Sequence, residues 1–363
     1  MANVVSIYSG AGGIDIGFFK AGFNILLSTD NWKVACDTLE LNKLGQKVEC
    51  GDIRSIDFAC FKKKGKKNID VLVGGPPCPP FSKSRFYRLE KKRGLDDENA
   101  FTVSEYFRAV KELNPSVFLF ENVHGFVYKP HIDALDFLAS ESDKLGYNIE
   151  YRVVNAADYG VPQTRERFIC VGVKKVLPKF NYPEPTHFDI ANKTTSVKTK
   201  LKRWVTCGDI LNDIDFPLPE DEAMQAGSKH KNLLKLVPPG DNYLFFTKER
   251  GHSKPLFKWR SRYWSFLLKL SPNRPSWTIQ ASHSNNMGPF HWNNRFLRIQ
   301  EIKRIQTFSE DYQLTGSFKD QWRQVGNAVP PLLAEIFAKQ IMNQYFELQT
   351  KKANRKVNVL QLN

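Results

Sequence analysis

The sequence predicts an α/β protein built on a doubly wound, mostly parallel sheet, with a smaller irregular domain beside it. Three observations carry this reading. Short apolar runs alternate with stretches of helical periodicity through the first half of the chain, which is the rhythm of βαβ units. A glycine-rich segment, Ser9-Gly10-Ala11-Gly12-Gly13, sits between the first apolar run and the first helix pattern. After Lys174 the alternation stops in a stretch rich in proline, lysine, asparagine and aromatic residues.

Taken in order, the pattern predicts a strand over 4–8, a helix over 14–21, a strand over 24–28 and a helix over 34–41. A third strand closes at Gly51-Asp52-Ile53. Further along come a strand at 71–73, a helix over 105–113, a strand at 117–120, a helix over 133–145, and strands at 147–154 and 168–173. The segment 174–275 reads as an irregular second domain containing Trp204, Trp259 and Trp264. Helical periodicity returns at 295–308 and 331–346, so residues 276–363 are expected to cross back and complete the first domain, 1–173.

Composition narrows the function classes. With 53 Lys and Arg against 38 Asp and Glu, the 363-residue chain carries a formal charge of +15, which favours a polyanionic partner. Its six cysteines show no CxxC pair and no Cys/His spacing for a metal, so neither a metal site nor a disulfide framework is expected, and a reducing cytoplasm suits the chain. No apolar run is long enough to span a bilayer, and no basic leader precedes the first strand, so no membrane association is expected. The one charge run, Lys62-Lys63-Lys64-Gly65-Lys66-Lys67, reads as a solvated loop, with a phosphate contact as the alternative.

Candidate chemistry clusters where strands end. Gly10, Gly12 and Gly13 allow a tight strand-to-helix turn whose amides face an anionic group. The spacing is not GxGxxG, which disfavours a nicotinamide cofactor. Asp30, ending the second strand, can accept from ribose hydroxyls, and Asp52 can take an exocyclic amine. Cys78 lies in Gly74-Gly75-Pro76-Pro77-Cys78-Pro79-Pro80-Phe81-Ser82, a proline-stiffened loop directly after a strand, where a thiol is posed for attack on a ligand. Glu121 closes the strand at 117–120, near enough on a parallel sheet to share the edge with Cys78 and to exchange a proton with a heterocycle nitrogen. Arg165 and Arg167 alternate along the start of a strand, so both are expected on one face, able to bind a phosphate and a carbonyl oxygen.

The glycine turn, the Cys78 loop, Glu121-Asn122-Val123, Gln163-Thr164-Arg165-Glu166-Arg167 and Gln324 to Val329 occur in the order found in the cytosine-C5 DNA methyltransferase family, which the chain resembles. The segment 295–308 is similar to that family's arginine-rich helix. The resemblance covers 1–173 and 274–345 and implies a Rossmann-like, S-adenosylmethionine-dependent catalytic domain, with 174–275 as the target-recognition domain. It implies that Cys78 attacks C6 of a cytosine flipped out of duplex DNA, that Glu121 serves N3, and that Arg167 holds O2. Arg165 and Ser82 would position phosphates; Lys83, Arg85 and Gln163 complete the implied DNA contacts, with Gln163 and Asn122 also supporting the active-site loops.

For the donor, and for S-adenosylhomocysteine as its product, the resemblance implies Tyr8, Ser9, Gly10, Gly12, Gly13, Asp30, Asn31, Asp52, Ile53, Pro77, Asn327 and Ala328. Tyr8 stands where phenylalanine is usual, Asp30 where glutamate is usual, and Pro79 where glutamine is usual; the expected Arg-Gly-x-Leu is absent around Asn99 to Thr102. Two rivals stand beside this reading. A tRNA-methylating relative is disfavoured because its Cys-Phe-Thr tripeptide is missing, and a catalytically silent DNA binder because Cys78, Glu121, Arg165 and Arg167 are all kept. The chain is expected to act as a monomer in a prokaryotic restriction-modification system, alongside a possible cognate endonuclease.

Overall fold

The computed structural model describes residues 1–60, 68–77, 101–190 and 200–347. Cys78, Ser82, Lys83 and Arg85 lie outside the described residues, as does the lysine run at 62–67. The chain divides into two compact units: Met1–Asn155, Glu166–Glu184 and Pro331–Asn363 form the first, Ala156–Arg165 and Pro185–Pro330 the second.

The first unit is a seven-stranded sheet made of β1 (Asn3–Ile7), β2 (Asn24–Asp30), β3 (Lys47–Cys50), β4 (Val71–Gly74), β5 (Val117–Val123), β6 (Tyr147–Asn155) and β7 (Glu166–Lys174). Their order is β3-β2-β1-β4-β5-β7-β6. The first five are parallel, while β7 runs antiparallel to both its neighbours. Central strands read as mostly apolar runs because both faces are covered: Val4, Val5, Ile7, Val71, Leu72 and Val73 are all fully buried, with Ser6 the buried polar exception in β1. The chain leaves β1 toward β2 and β3, then returns to place β4 on the other side, so a crevice opens at the carboxyl ends of β1 and β4.

Helices α1 (Gly13–Lys20), α2 (Lys33–Asn42), α3 (Phe101–Leu113), α4 (Ile132–Lys144) and α5 (Pro331–Ile341) belong to this unit. Helix α3 buries Val103, Tyr106, Phe107, Val110 and Leu113, one stripe at helical spacing, into an aromatic core with Phe118, Phe120, Phe126 and Phe168. Helix α1 approaches α5 closely at Gly17, where a Cβ would stand 2.5 Å from Ala334 Cβ.

The second unit is mostly irregular, with short helices at Cys207–Leu211, Lys231–Leu236, Ile299–Ile305 and Phe318–Asn327. One of its cores joins Tyr243, Phe246, Phe266 and Phe290. Ion pairs brace it: Arg295 holds the buried Glu301 at 2.7 and 2.9 Å, and Arg298 reaches the partly buried Asp221 at 2.5 Å.

Three expectations are corrected. Residues 276–330 pack within the second unit, and the chain rejoins the first unit only from Pro331. The helix at 295–308 shortens to Ile299–Ile305, because Glu301 turns back to accept from the backbone N–H of Arg298 and starts the helix there. Arg165 and Arg167 do not share one strand face: Gln163–Thr164 pairs with Ser276–Trp277, and β7 begins only at Glu166. Among the described residues no helix is long and apolar enough to cross a membrane, and no His, Cys, Asp and Glu group could hold a metal ion.

Candidate active site

Parallel register lines up Ile7, Gly74 and Phe120 across β1, β4 and β5. The next residues outward are Tyr8, Gly75 and Glu121, so three sequence-distant segments meet at one sheet edge. Glu121 Oε1 lies 2.8 Å from Arg167 Nε, with both side chains only about a tenth exposed. Arg167 Nη1 also donates to Glu166 O at 2.8 Å, which fixes the guanidinium plane. Asn122 Nδ2 donates to Pro76 O at 3.3 Å. A Cβ on Gly75 would stand 2.6 Å from Glu121 Oε2, so a side chain there would displace this carboxylate from its present position. The strand leading into the Cys78 loop is therefore held against Glu121 and Asn122. A carboxylate paired edge-on with a guanidinium can serve a ring nitrogen and the neighbouring carbonyl oxygen of one heterocycle.

Beside it lies the glycine turn. Tyr8 adopts the left-handed region at φ 55° and Gly10 at φ 53°. The Tyr8 hydroxyl donates to Thr102 O at 2.8 Å, and burial raises its pKa far above the phenolic range. This bond uses the atom by which Tyr8 differs from phenylalanine. Asp30 accepts from Gly10 N at 2.8 Å through one oxygen and from Trp32 N at 2.9 Å through the other, tying the turn to the end of β2. Nothing stands within 4 Å of a Cβ built on Gly10, which leaves open space where a ligand can meet the backbone. Ser9 is nearly buried and donates to Ser6 Oγ at 2.9 Å. Asn31 and Pro77 are exposed, and Ile53 is buried. Asp52 differs from expectation, since Arg54 engages both its carboxylate oxygens and holds its pKa down at about 2. Arg54 in turn lies over the Phe101 ring, 4.7 Å from its centroid.

Sequence reasoning passed over Asp15, though a lone acid between Ile14 and Ile16 was a visible signal. It is fully buried in the first turn of α1, facing the hydroxyls of Ser6, Ser28 and Ser9, and burial pushes its carboxyl from 3.8 up to about 6. A folded pKa above the unfolded one means the native state binds the proton more tightly. The group's effect on stability is thus most favourable below pH 4 and is lost as pH rises to about 6, a span of roughly 3 kcal/mol. Asp15→Asn is expected to gain about that much over wild type at pH 7.5 relative to the difference at pH 4, measured by urea unfolding. Equal differences at the two pH values would refute the assignment.

The remaining expected residues lie in the second unit. Gln163 is fully buried: its Nε2 donates to Gln306 Oε1 at 2.5 Å, and its Oε1 accepts from Ile279 N at 3.1 Å. It has no exposed surface, and its amide joins the segments of Gln306 and Ile279. Arg165, expected to hold a phosphate, is 1% exposed and donates to Gln163 Oε1, Ile279 O, Gly326 O and Ala328 O at 2.8–3.3 Å. Its guanidinium is committed to backbone carbonyls. Gln306 Nε2 adds a bond to Ala328 O at 2.6 Å, so the turn after Phe318–Asn327 is fixed from beneath while Asn327 stays exposed.

Comparison with known proteins follows the same lines. A family model described as C-5 cytosine-specific DNA methylase matches residues 2–343. The Type II methyltransferase M.SacI of Streptomyces achromogenes is 37% identical, over 96% of this chain and 94% of its own length. M.MthTI of Methanothermobacter thermautotrophicus is 33% identical, over 93% and 96%. The solved structure of the Entamoeba histolytica methyltransferase EhMeth matches with a TM-score of 0.63 at 16% identity, covering 96% of this chain and 99% of that one.

Proposed function

The chain belongs to the C-5 cytosine-specific DNA methylase family, and from that membership we propose that it methylates one cytosine within a specific duplex DNA sequence through a covalent adduct of Cys78. The observation that carries the reading is the Glu121–Arg167 pair at 2.8 Å, packed against Gly75 on the approach to Cys78. C5 of cytosine is a weak nucleophile. Addition of the Cys78 thiolate to C6, with Glu121 keeping a proton at N3 and Arg167 donating to O2, converts the ring to an enamine whose C5 can accept a methyl group. Loss of the C5 proton then restores the double bond and releases the thiolate. Because a stacked base hides C5 and C6, the target cytosine is flipped out of the helix.

Family membership implies S-adenosylmethionine as the methyl donor, and the open space at Gly10 suits it. When bound, it supplies an electrophilic sulfonium methyl group. Tyr8, Ser9, Gly10, Gly12 and Gly13 would hold its methionine end, and Asp30 its ribose. Asn31, Ile53 and Pro77 would line the remainder. Asp52, engaged by Arg54, would act by shaping the turn at Ile53–Ser55. Ser82, Lys83 and Arg85 are proposed as phosphate contacts, the second unit as the recognition module, and the protein as a monomer paired with a restriction endonuclease of the same sequence specificity.

Bisulfite sequencing of DNA from cells expressing the protein tests the reading. Protected cytosines in one recurring sequence are expected; no protected cytosine, with methyl transfer to tRNA instead, would overturn it.

A further inference from the structure

One segment of the second unit differs from the rest of its surface. Every side chain from Lys258 to Trp264 is exposed, with Trp259 at 40%, Tyr263 at 60% and Trp264 at 48%. Its flanks are anchored, since the ring of Phe257 packs on Tyr243, Phe246 and Phe266, and Ser265 and Phe266 are buried. The backbone between them is clamped from below. The buried Tyr243 hydroxyl donates to Arg262 O at 2.9 Å and accepts from Arg262 N at 3.2 Å, while buried Asn242 donates to Trp264 O at 2.8 Å. Arg260 sits in the left-handed region at φ 54°.

A loop that only connects needs no such clamp, and exposed aromatic rings grouped together mark a surface that a partner covers. Charge says which partner. No acid occurs between Arg250 and Trp264, and Lys258, Arg260 and Arg262 make no ion pair among the described residues. Several other arginines of this unit already hold carboxylates: Arg203 to Asp209, Arg250 to Asp241, Arg295 to Glu301, Arg298 to Asp221, and Arg304 to Asp213 and Glu310. The Arg260 guanidinium lies over the Trp259 ring, 5.9 Å from its centroid, and guanidiniums free of carboxylates on a fixed backbone can meet the O6 and N7 of guanine with two parallel bonds.

We infer that the loop 258–264 reads base pairs in the major groove of duplex DNA, with Arg260 and Arg262 as the base-contacting side chains. Trp259 and Tyr263 flank them and exclude water, and Lys258 takes a phosphate. Arg203, whose guanidinium already holds Asp209, serves as the comparison residue. The inference rests on the proposed function, in which duplex DNA is the substrate.

The test uses the full-length protein and duplexes carrying the wild-type target, found by bisulfite sequencing of a methylated randomised library, and every single-base-pair substitution of it. Competition binding and methylation are both measured. Arg260→Ala or Arg262→Ala is expected to reduce discrimination at one position by roughly tenfold or more, leaving other positions unchanged. Arg203→Ala is expected to keep the wild-type profile. Wild-type discrimination at every position in both loop variants, whatever their rates, would overturn the inference, as would loss of discrimination in Arg203→Ala alone. A wild-type protein that modifies no library member would instead overturn the proposed function, and the two failures are distinct.

Discussion

Replacing Glu121 by alanine is expected to lower kcat for methyl transfer to duplex DNA by about 10²- to 10⁴-fold, the usual worth of a positioned acid or base. The reason lies in the edge row Tyr8, Gly75 and Glu121. Here the carboxylate both faces the approach to Cys78 and aligns Arg167 through the 2.8 Å contact. Removing it leaves a guanidinium that is about nine-tenths buried without its counter-charge, so stability falls as well, by up to about 3 kcal/mol. Glu121→Gln separates the two effects. Its amide oxygen still accepts from Arg167, so unfolding is expected to stay near wild type while turnover remains low. Single-turnover methylation alongside urea unfolding checks both, and wild-type turnover in the glutamine variant would remove Glu121 from the chemistry.

The second large effect is on stability. Arg165→Met is expected to destabilise the second unit by about 3–5 kcal/mol, because the variant strips hydrogen bonds from the buried carbonyls of Ile279, Gly326 and Ala328 and from Gln163 Oε1. Lysine does not rescue it. A single ammonium cannot reproduce a planar fork that reaches two chain segments at once. Urea unfolding followed by tryptophan fluorescence reports this unit selectively, since Trp204, Trp259, Trp264, Trp277, Trp292 and Trp322 all lie within it. A change under 1 kcal/mol would contradict the buried-anchor role.

How much of this was legible in the residues depended on whether the cause was local. The strands at 4–8, 71–73 and 117–120 were readable because sheet positions covered on both faces need predominantly apolar runs, interrupted only by the buried Ser6 in the first. The placing of Glu121 at the edge shared with Gly75 followed from parallel register, and the contacts at Gly75 and Pro76 lie there; Cys78 itself is outside the described residues. The antiparallel direction of β7 has no local signature. Alternation at Arg165 and Arg167 misled because the partner of Gln163–Thr164 is Ser276–Trp277, more than 100 residues away. Gln163 looked available for DNA for the same reason, since its burial against Gln306 and Ile279 is a tertiary fact. The helix Phe318–Asn327 was missed although Ser317 and Asp320 form a capping box, a signal that was present in the chain.

The central claim is a carbon–sulfur bond between Cys78 and C6 of the target cytosine. A duplex whose target carries fluorine at C5 tests it most directly, because the adduct then has no C5 proton to lose and cannot collapse. With S-adenosylmethionine present, the protein is expected to form a denaturant-stable complex of one protein per duplex, mapped by mass spectrometry to Cys78. Cys78→Ala is expected to form none while still binding DNA. A stable adduct on any other residue, or an equal yield from the alanine variant, would contradict the account.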